Sequence, residues 1–204
     1  MKTHFVKLLT QPESAWVQIR CEEQRKPRQY LPHLLLWALV PALCLFIGVT
    51  QVGWSLADTE QVRLSLASAM QLALLLYLTT LLGTVLMGGF IRWMSRSFEA
   101  RPTLNQCVGF AAYTATPYFI AGISGLYPSR WLAVAALLAA SAYASYLLLV
   151  GLPKFMYLNQ ERGRLYAASV WGVGLLVLVT ILVSMILFWF NVLAPQYLRP
   201  VAAL

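Results

Sequence analysis

Charge is scarce in this sequence. Asp, Glu, Lys and Arg make up 11% of its 204 residues, against roughly 25% in an ordinary soluble domain. The same chain is 60% hydrophobic. A water-soluble fold of this size cannot bury so many apolar side chains while leaving so few charges for a surface. A bilayer, which solvates apolar groups from outside, resolves the excess. Histidine is scarcer still: there are only His4 and His33, both before or at the very start of the first apolar run. That leaves no Ser/His/acid or Cys/His nucleophile at membrane depth, and neither the ligands nor the paired acids of an intramembrane protease. Walker-type glycine loops are missing. Without intramembrane carboxylates or histidines, proton-coupled transport lacks its usual relays, whereas a facilitator of neutral or lipidic cargo does not need them. The three cysteines, Cys21, Cys44 and Cys107, are odd in number and form no CxxC pair, so neither a disulfide framework nor a zinc site is indicated. Cys44 and Cys107 read as small core residues. Asp58 and Glu60 beside Arg63 read as solvated loop acids, with a divalent-cation site as the alternative. The expectation is a non-enzymatic protein with no cofactor and no metal.

What is present is a set of long apolar runs. Residues 31–52, 66–91, 104–127, 131–152 and 169–193 each approach or exceed the roughly 20 residues that span about 30 Å of hydrocarbon. None has Asp, Glu, Lys or Arg in its interior, where each would cost about 2.5–3.5 kcal/mol. No alternating barrel strands occur, so helices are the spanning element. The predicted fold is an all-α membrane protein. It has a cytoplasmic segment 1–30, a five-helix transmembrane bundle over 31–193, and a short external tail 194–204. Residues 1–30 contain no cleavable signal, which makes the first span an uncleaved anchor.

The net charge of +8 does not indicate nucleic acid, because the basic residues flank apolar runs instead of forming a soluble basic face. Lys2, Lys7, Arg20, Arg25, Lys26, Arg28, Arg92, Arg96, Arg101, Lys154, Arg162 and Arg164 fall on one side. Arg63, Arg130 and Arg199 fall on the other, completing the 15. The positive-inside bias predicts a cytoplasmic N-terminus and, after five crossings, a C-terminus outside. The expected partners are the lipid bilayer, anionic headgroups at the cytoplasmic face, and a protein partner or a second copy of the chain. Trp37, Trp54, Trp93, Trp131, Trp171 and Trp189, with Tyr30, Tyr127 and Tyr157, lie near span ends as interfacial anchors.

Thr10-Gln11-Pro12-Glu13 has the form of a capping box with proline in the first turn. It predicts an amphipathic helix over 12–24, with Trp16, Ile19 and Val17 on one face and Glu22, Glu23, Arg25 and Lys26 on the other. Such a helix lies on the inner leaflet; docking of a partner helix is the alternative. Pro27 and Pro32 limit its continuation. Pro41 and Pro117 interrupt the first and third spans and each frees a carbonyl, predicting kinks, with Thr114 and Thr116 placed to help satisfy the backbone. Tyr113, Thr114 and Thr116 belong to the most polar span. The spacing Ala136-xxx-Ala140-xxx-Ala144 and Ser141-xxx-Ser145 permits close helix packing; a polar cleft between spans three and four is the functional alternative.

The stretch Phe110-Ala111-Ala112-Tyr113-Thr114-Ala115-Thr116-Pro117 resembles the Gly-Tyr-x-x-x-Pro stretch of the Yip family of Ypt-interacting, five-span membrane proteins. The run from Pro41 through Gly48, Gln51 and Gly53 to Trp54, and Gly151-Leu152-Pro153, are similar to its bacterial inner-membrane branch. Ala112 stands where the family has glycine. The acidic Asp-Leu-Tyr-Gly-Pro motif associated with Rab-type GTPase contacts is missing, so that function is not implied. The resemblance implies a bacterial inner-membrane protein with a scaffold or adaptor role and carries over only Tyr113 and Pro117. The alternative is a small transporter, channel subunit or lipid-handling protein.

Overall fold

The computed structural model describes residues 7, 8, 10–25, 28–55, 61–127, 129–193 and 196–198. Lys2, His4, Lys26, Pro27, Asp58, Glu60 and Arg199, each assigned a place in the sequence reading, lie outside the described residues. The architecture is all-α. Helix α1 spans Pro12–Arg25, α2 Tyr30–Ile47, α3 Leu66–Ser95, α4 Leu104–Thr114, α5 Thr116–Ala121, α6 Arg130–Phe155 and α7 Gln160–Phe188. Four helical stretches are long and apolar enough to cross a membrane: Tyr30–Val52, Leu66–Phe98, Trp131–Phe155 and Glu161–Leu193.

The expected third span, 104–127, is not one such helix. It is α4, a break at Ala115, α5, and a 3-10 segment over Gly122–Leu126. The cause is Pro117, which lacks an N–H and disfavours helical geometry in the residue before it. The amides of Tyr118 and Phe119 both turn to the Ala115 carbonyl, at 3.0 and 3.4 Å. Pro41 does not break its helix and stays inside α2, which widens into a π-helical turn only at Gly48–Val52.

The all-α expectation also missed three short strands: β1 (Trp54–Ser55), β2 (Gln61–Leu64) and β3 (Tyr197–Leu198), in the order β1-β2-β3. Gly53, at φ 89°, turns the chain out of the π-helical turn into β1. Arg63 pairs with Leu198 and Leu64 with Tyr197, antiparallel, joining the connection between α2 and α3 to the tail. Strands of two to four residues are too short for an alternating pattern to appear in the sequence.

At the opposite end, one face of α1 is docked on the bundle. It packs on α6 and α4 with Trp16, Ala15 and Ile19 buried, while Val17 faces outward at 47% exposure. Lys154 is 2.6 Å from Glu13, and Arg162 is 2.6 Å from Glu99. These pairs tie α1 to the α6–α7 connection and that connection to the one between α3 and α4. The outward strip of α1 is mostly polar, and the Trp16 ring finds an aromatic socket in the bundle.

Glycines set the closest approaches. A Cβ on Gly122 would overlap Pro41, and one on Gly48 would overlap the Gly125 carbonyl, so α2 and the 3-10 segment meet backbone to backbone. Gly122→Val is expected to destabilise the protein by about 1–3 kcal/mol, as overpacking typically does. Gly89→Ala, where a Cβ meets nothing within 4 Å, should be neutral. Thermal unfolding of both variants in mild detergent checks the contrast, and equal melting would refute it.

Candidate functional site

Two features of the bundle carry unusual polarity for their surroundings. The first is the seat of α1. Trp16 is fully buried with its ring 4.6 Å from Phe110 and 5.9 Å, edge-on, from Phe155. Its indole stands over Gly151, where any side chain would collide with it, and the indole N–H has no partner. Arg20 and Glu23, one turn and two turns along the same face, are 9% and 3% exposed. The guanidinium lies 5.1 Å from the Phe155 ring and 5.6 Å from the Tyr157 ring, a cation–π seat in place of an ion pair. Burial lowers the Arg20 pKa from its ordinary value, against opposing contributions from Tyr157, Cys107 and Cys21. Both Glu23 carboxylate oxygens lack a hydrogen bond. The carboxyl sits over Gly109 beside Tyr30. Burial pushes its pKa up to about 7; the amides of Tyr30 and Arg28, facing it without closing a bond, pull the other way, and Glu22 adds to the rise.

Sequence reasoning placed Glu23 on a solvated face because charged residues are seldom buried. The spacing of Trp16, Ile19, Arg20 and Glu23 was the missed signal: it is i, i+3, i+4, i+7, one helical stripe. His33 was likewise set aside as lying at the membrane edge. It stands inside α2, its Nε2 3.1 Å from the Thr116 hydroxyl and its ring 4.7 Å from that of Tyr113. Of the residues singled out by sequence, Tyr113 and Thr116 therefore gather on His33. Pro117 is buried at the start of α5, and Pro41 packs on Gly122. Thr114 turns elsewhere, its hydroxyl enclosed and unpartnered.

The second feature is a cavity of about 410 Å³ bounded by α3, α4–α5, α6 and α7. Pro41 and Thr114 contribute to its wall, and Thr79, Thr80, Thr84, Tyr118, Ser124, Ser145 and Trp171 supply its polar groups. The expected cleft between spans three and four is thus wider than predicted, reaching across to α3 and α7. Tyr118 donates to Ser141 at 3.3 Å and Trp171 to Ser145 at 2.7 Å, joining α5 to α6 and α6 to α7. The small-residue stripe of α6 serves packing as expected, with Ala140 and Ala144 buried. Among the described residues no three His, Cys, Asp or Glu gather closely enough to hold a metal ion.

The Yip1 domain matches this chain over residues 6–192. The chain belongs to the Yip1 domain family. It is 37% identical over 187 residues to inner membrane protein YohC of Escherichia coli strain K12, covering 92% of this chain and 96% of that protein. The YohC protein of E. coli O6:H1 strain CFT073 matches to the same extent. No solved structure matches. With apolar helices of spanning length and an inner-membrane relative, the Yip1-family chain is a multi-pass inner-membrane protein.

Glu23 gives this Yip1-family chain a pH signature. A carboxyl whose folded-state pKa is raised favours folding while it is protonated. That stability is full below the ordinary value of 4.5, is lost as pH rises through about 7, and stays lost above it. Glu23→Gln should therefore melt like the wild type at pH 5 and above it at pH 8.5. Tryptophan-fluorescence melts across that range, compared as a difference curve between variant and wild type, check the expectation. Parallel curves would contradict the buried-carboxyl account.

Proposed function

We propose that this chain is a non-enzymatic scaffold or adaptor of the bacterial inner membrane, crossing five times, with a cytoplasmic N-terminus and a periplasmic C-terminus. The observation that carries the proposal is the fixed seating of α1, which turns the inner end of the bundle into a rigid polar platform. Ser14, Val17, Gln18 and Cys21 form its outward strip. Five crossings are supported by the ends of the segments. Glu99, before α4, and Lys154, at the end of α6, both join the inner cluster, and α6 is one long helix. Residues 104–129 therefore have to travel from that end to the other. The orientation is supported by the basic residues gathered at the α1 end, which also suits anionic headgroups there. A protein partner or a second copy of the chain would dock on the platform.

A second reading, a small transporter, channel subunit or lipid-handling protein, is favoured by the cavity between α3, α4–α5, α6 and α7. Its walls hold neither a charge nor a histidine, which suits neutral cargo.

Deleting α1 is a poor test of the adaptor, because loss of Trp16 alone should cost about 3–5 kcal/mol. Val17→Glu leaves the socket intact. It should reduce recovery of a crosslinked partner from native membranes about tenfold, the equivalent of about 1.4 kcal/mol, without changing the melt. Undiminished recovery would remove the platform from the adaptor role.

A further inference from the structure

The cavity is particular in what its hydroxyl groups already do. Thr79 donates to the Leu75 carbonyl at 2.7 Å, Thr80 to Leu76 at 2.7 Å, and Thr84 to Thr80 at 2.9 Å. Ser145 donates to Ser141 at 2.7 Å, while Tyr118 and Trp171 spend their protons on the two serines. Each hydroxyl proton on the α3 and α6 walls is therefore engaged within the protein. The oxygens keep acceptor capacity, since a hydroxyl carries one donor and two lone pairs. Thr114 adds nothing here, because its hydroxyl is enclosed by protein. Ser124, on the 3-10 segment, is the remaining hydroxyl of the lining. The α3 wall thus offers acceptors, in a lining that includes Leu76, Met87, Phe110, Leu137 and Leu178. A ligand seated against that wall must bring a hydrogen-bond donor on an apolar body.

Charge narrows the choice. The lining contains no Asp, Glu, Lys, Arg or His, so a phosphate, carboxylate or ammonium entering it would lose its hydration without a counter-charge. Depth narrows it again. Thr79, Thr80 and Thr84 lie in the middle of α3, which runs Leu66–Ser95. A glycerophospholipid keeps its headgroup at the interface and can send only an acyl chain to that depth, leaving the acceptors unmet. The cavity's volume of about 410 Å³ falls in the range of ligand sites, about 300–1,000 Å³. Along α3 the lining extends from Leu76 to Ile91, roughly 22 Å at about 1.5 Å per residue, the dimension of a long chain. Entry from the bilayer is open along α7: its most apolar window is only 6% buried, and Ala133 and Leu175, on the facing walls, are exposed.

We propose that this cavity binds an uncharged lipid alcohol, a long apolar chain whose hydroxyl donates to Thr80 or Thr84 of α3. The assignment deepens the second reading above, and rests on it, by naming the class of lipid. Against the α3 wall an ester or quinone carbonyl is a poorer fit, because a threonine there would have to give up its bond to the helix to donate to it. The ligand stays within the hydrocarbon at both ends and needs no aqueous access.

The test uses the full-length protein in mild detergent with three photoactivatable probes carrying the same diazirine chain: a long-chain alcohol, the corresponding fatty acid and a phosphatidylcholine. The alcohol should label peptides of α3 and α6 about fivefold more than either of the others, the worth of one added hydrogen bond. Unlabelled alcohol should compete, and the acid should not. Thr80→Val with Thr84→Val should erase the preference. Gly174→Leu, whose side chain meets only the flexible tip of Met87, should fill the cavity and reduce all labelling. The competition needs no variant, so misfolding of a mutant does not leave the result open. Equal labelling by all three probes, lost only on filling, would overturn the alcohol assignment while leaving a lipid-handling cavity. No labelling above detergent background in the folded wild type would overturn both.

Discussion

Trp16 sits where α1, α4 and α6 meet, and the rest of the inner end is arranged around that contact. Its indole fills the space left by Gly151 and touches both Phe110 and Phe155, which also touch each other at 5.2 Å. Burying an aromatic of this size is among the larger single contributions a fold can make. It fixes the rotation of α1 about its axis, and that rotation decides everything else on the helix. Arg20 and Glu23 are carried inward with it, Val17 outward. The desolvation of the two charged groups is thus a by-product of seating the indole, partly offset by the aromatic faces over which Arg20 lies.

The same dependence explains why the two halves of the third segment behave differently. Before Ala115, α4 is a regular helix opened by a capping box from Thr103 and Gln106 and almost wholly buried. After it, the chain has lost a backbone donor to Pro117 and continues as a short helix and a 3-10 segment. The loss is tolerated because neighbours are close. Thr116 finds His33, and Gly122 and Gly125 let the backbone of α2 come into contact. The backbone at the break itself is enclosed, with Thr116, Pro117 and Phe119 buried, whereas the 3-10 segment beyond it has no fully buried residue.

Much of this was legible in the chain. The apolar runs at 31–52, 66–91 and 131–152 correspond to helices at Tyr30–Val52, Leu66–Phe98 and Trp131–Phe155, differing chiefly at their ends. The run at 169–193 is preceded by about two and a half further helical turns, polar at their start, so its helix begins at Gln160. Tyr113, Thr116, Pro117 and Pro41 were identified as places where the backbone or a hydroxyl needs a partner, and each does pack closely against another segment. What the sequence did not disclose is which segments those are. Glu23 and His33 look peripheral when judged by residue type, and only tertiary packing makes them internal. A polar cleft was anticipated, as an alternative to simple packing, from the hydroxyls of the third and fourth runs, but the far walls of the cavity belong to α3 and α7. The short outer strands had no periodicity to betray them.

The lengths of the helices carry a consequence for the surrounding bilayer. Leu66–Phe98 and Glu161–Leu193 each run 33 residues, against 23 for Tyr30–Val52. At about 1.5 Å per residue the long pair reaches roughly 50 Å, well beyond a hydrocarbon layer of about 30 Å. Such helices meet the mismatch by tilting or by carrying their ends into the headgroups. Because α3 packs on α7 through Gly83 against Ile181 and Gly174 against Met87, they tilt as a unit, while the shorter and broken segments beside them do not need to. Membrane thickness is therefore a constraint that the long pair and the shorter segments meet in different ways.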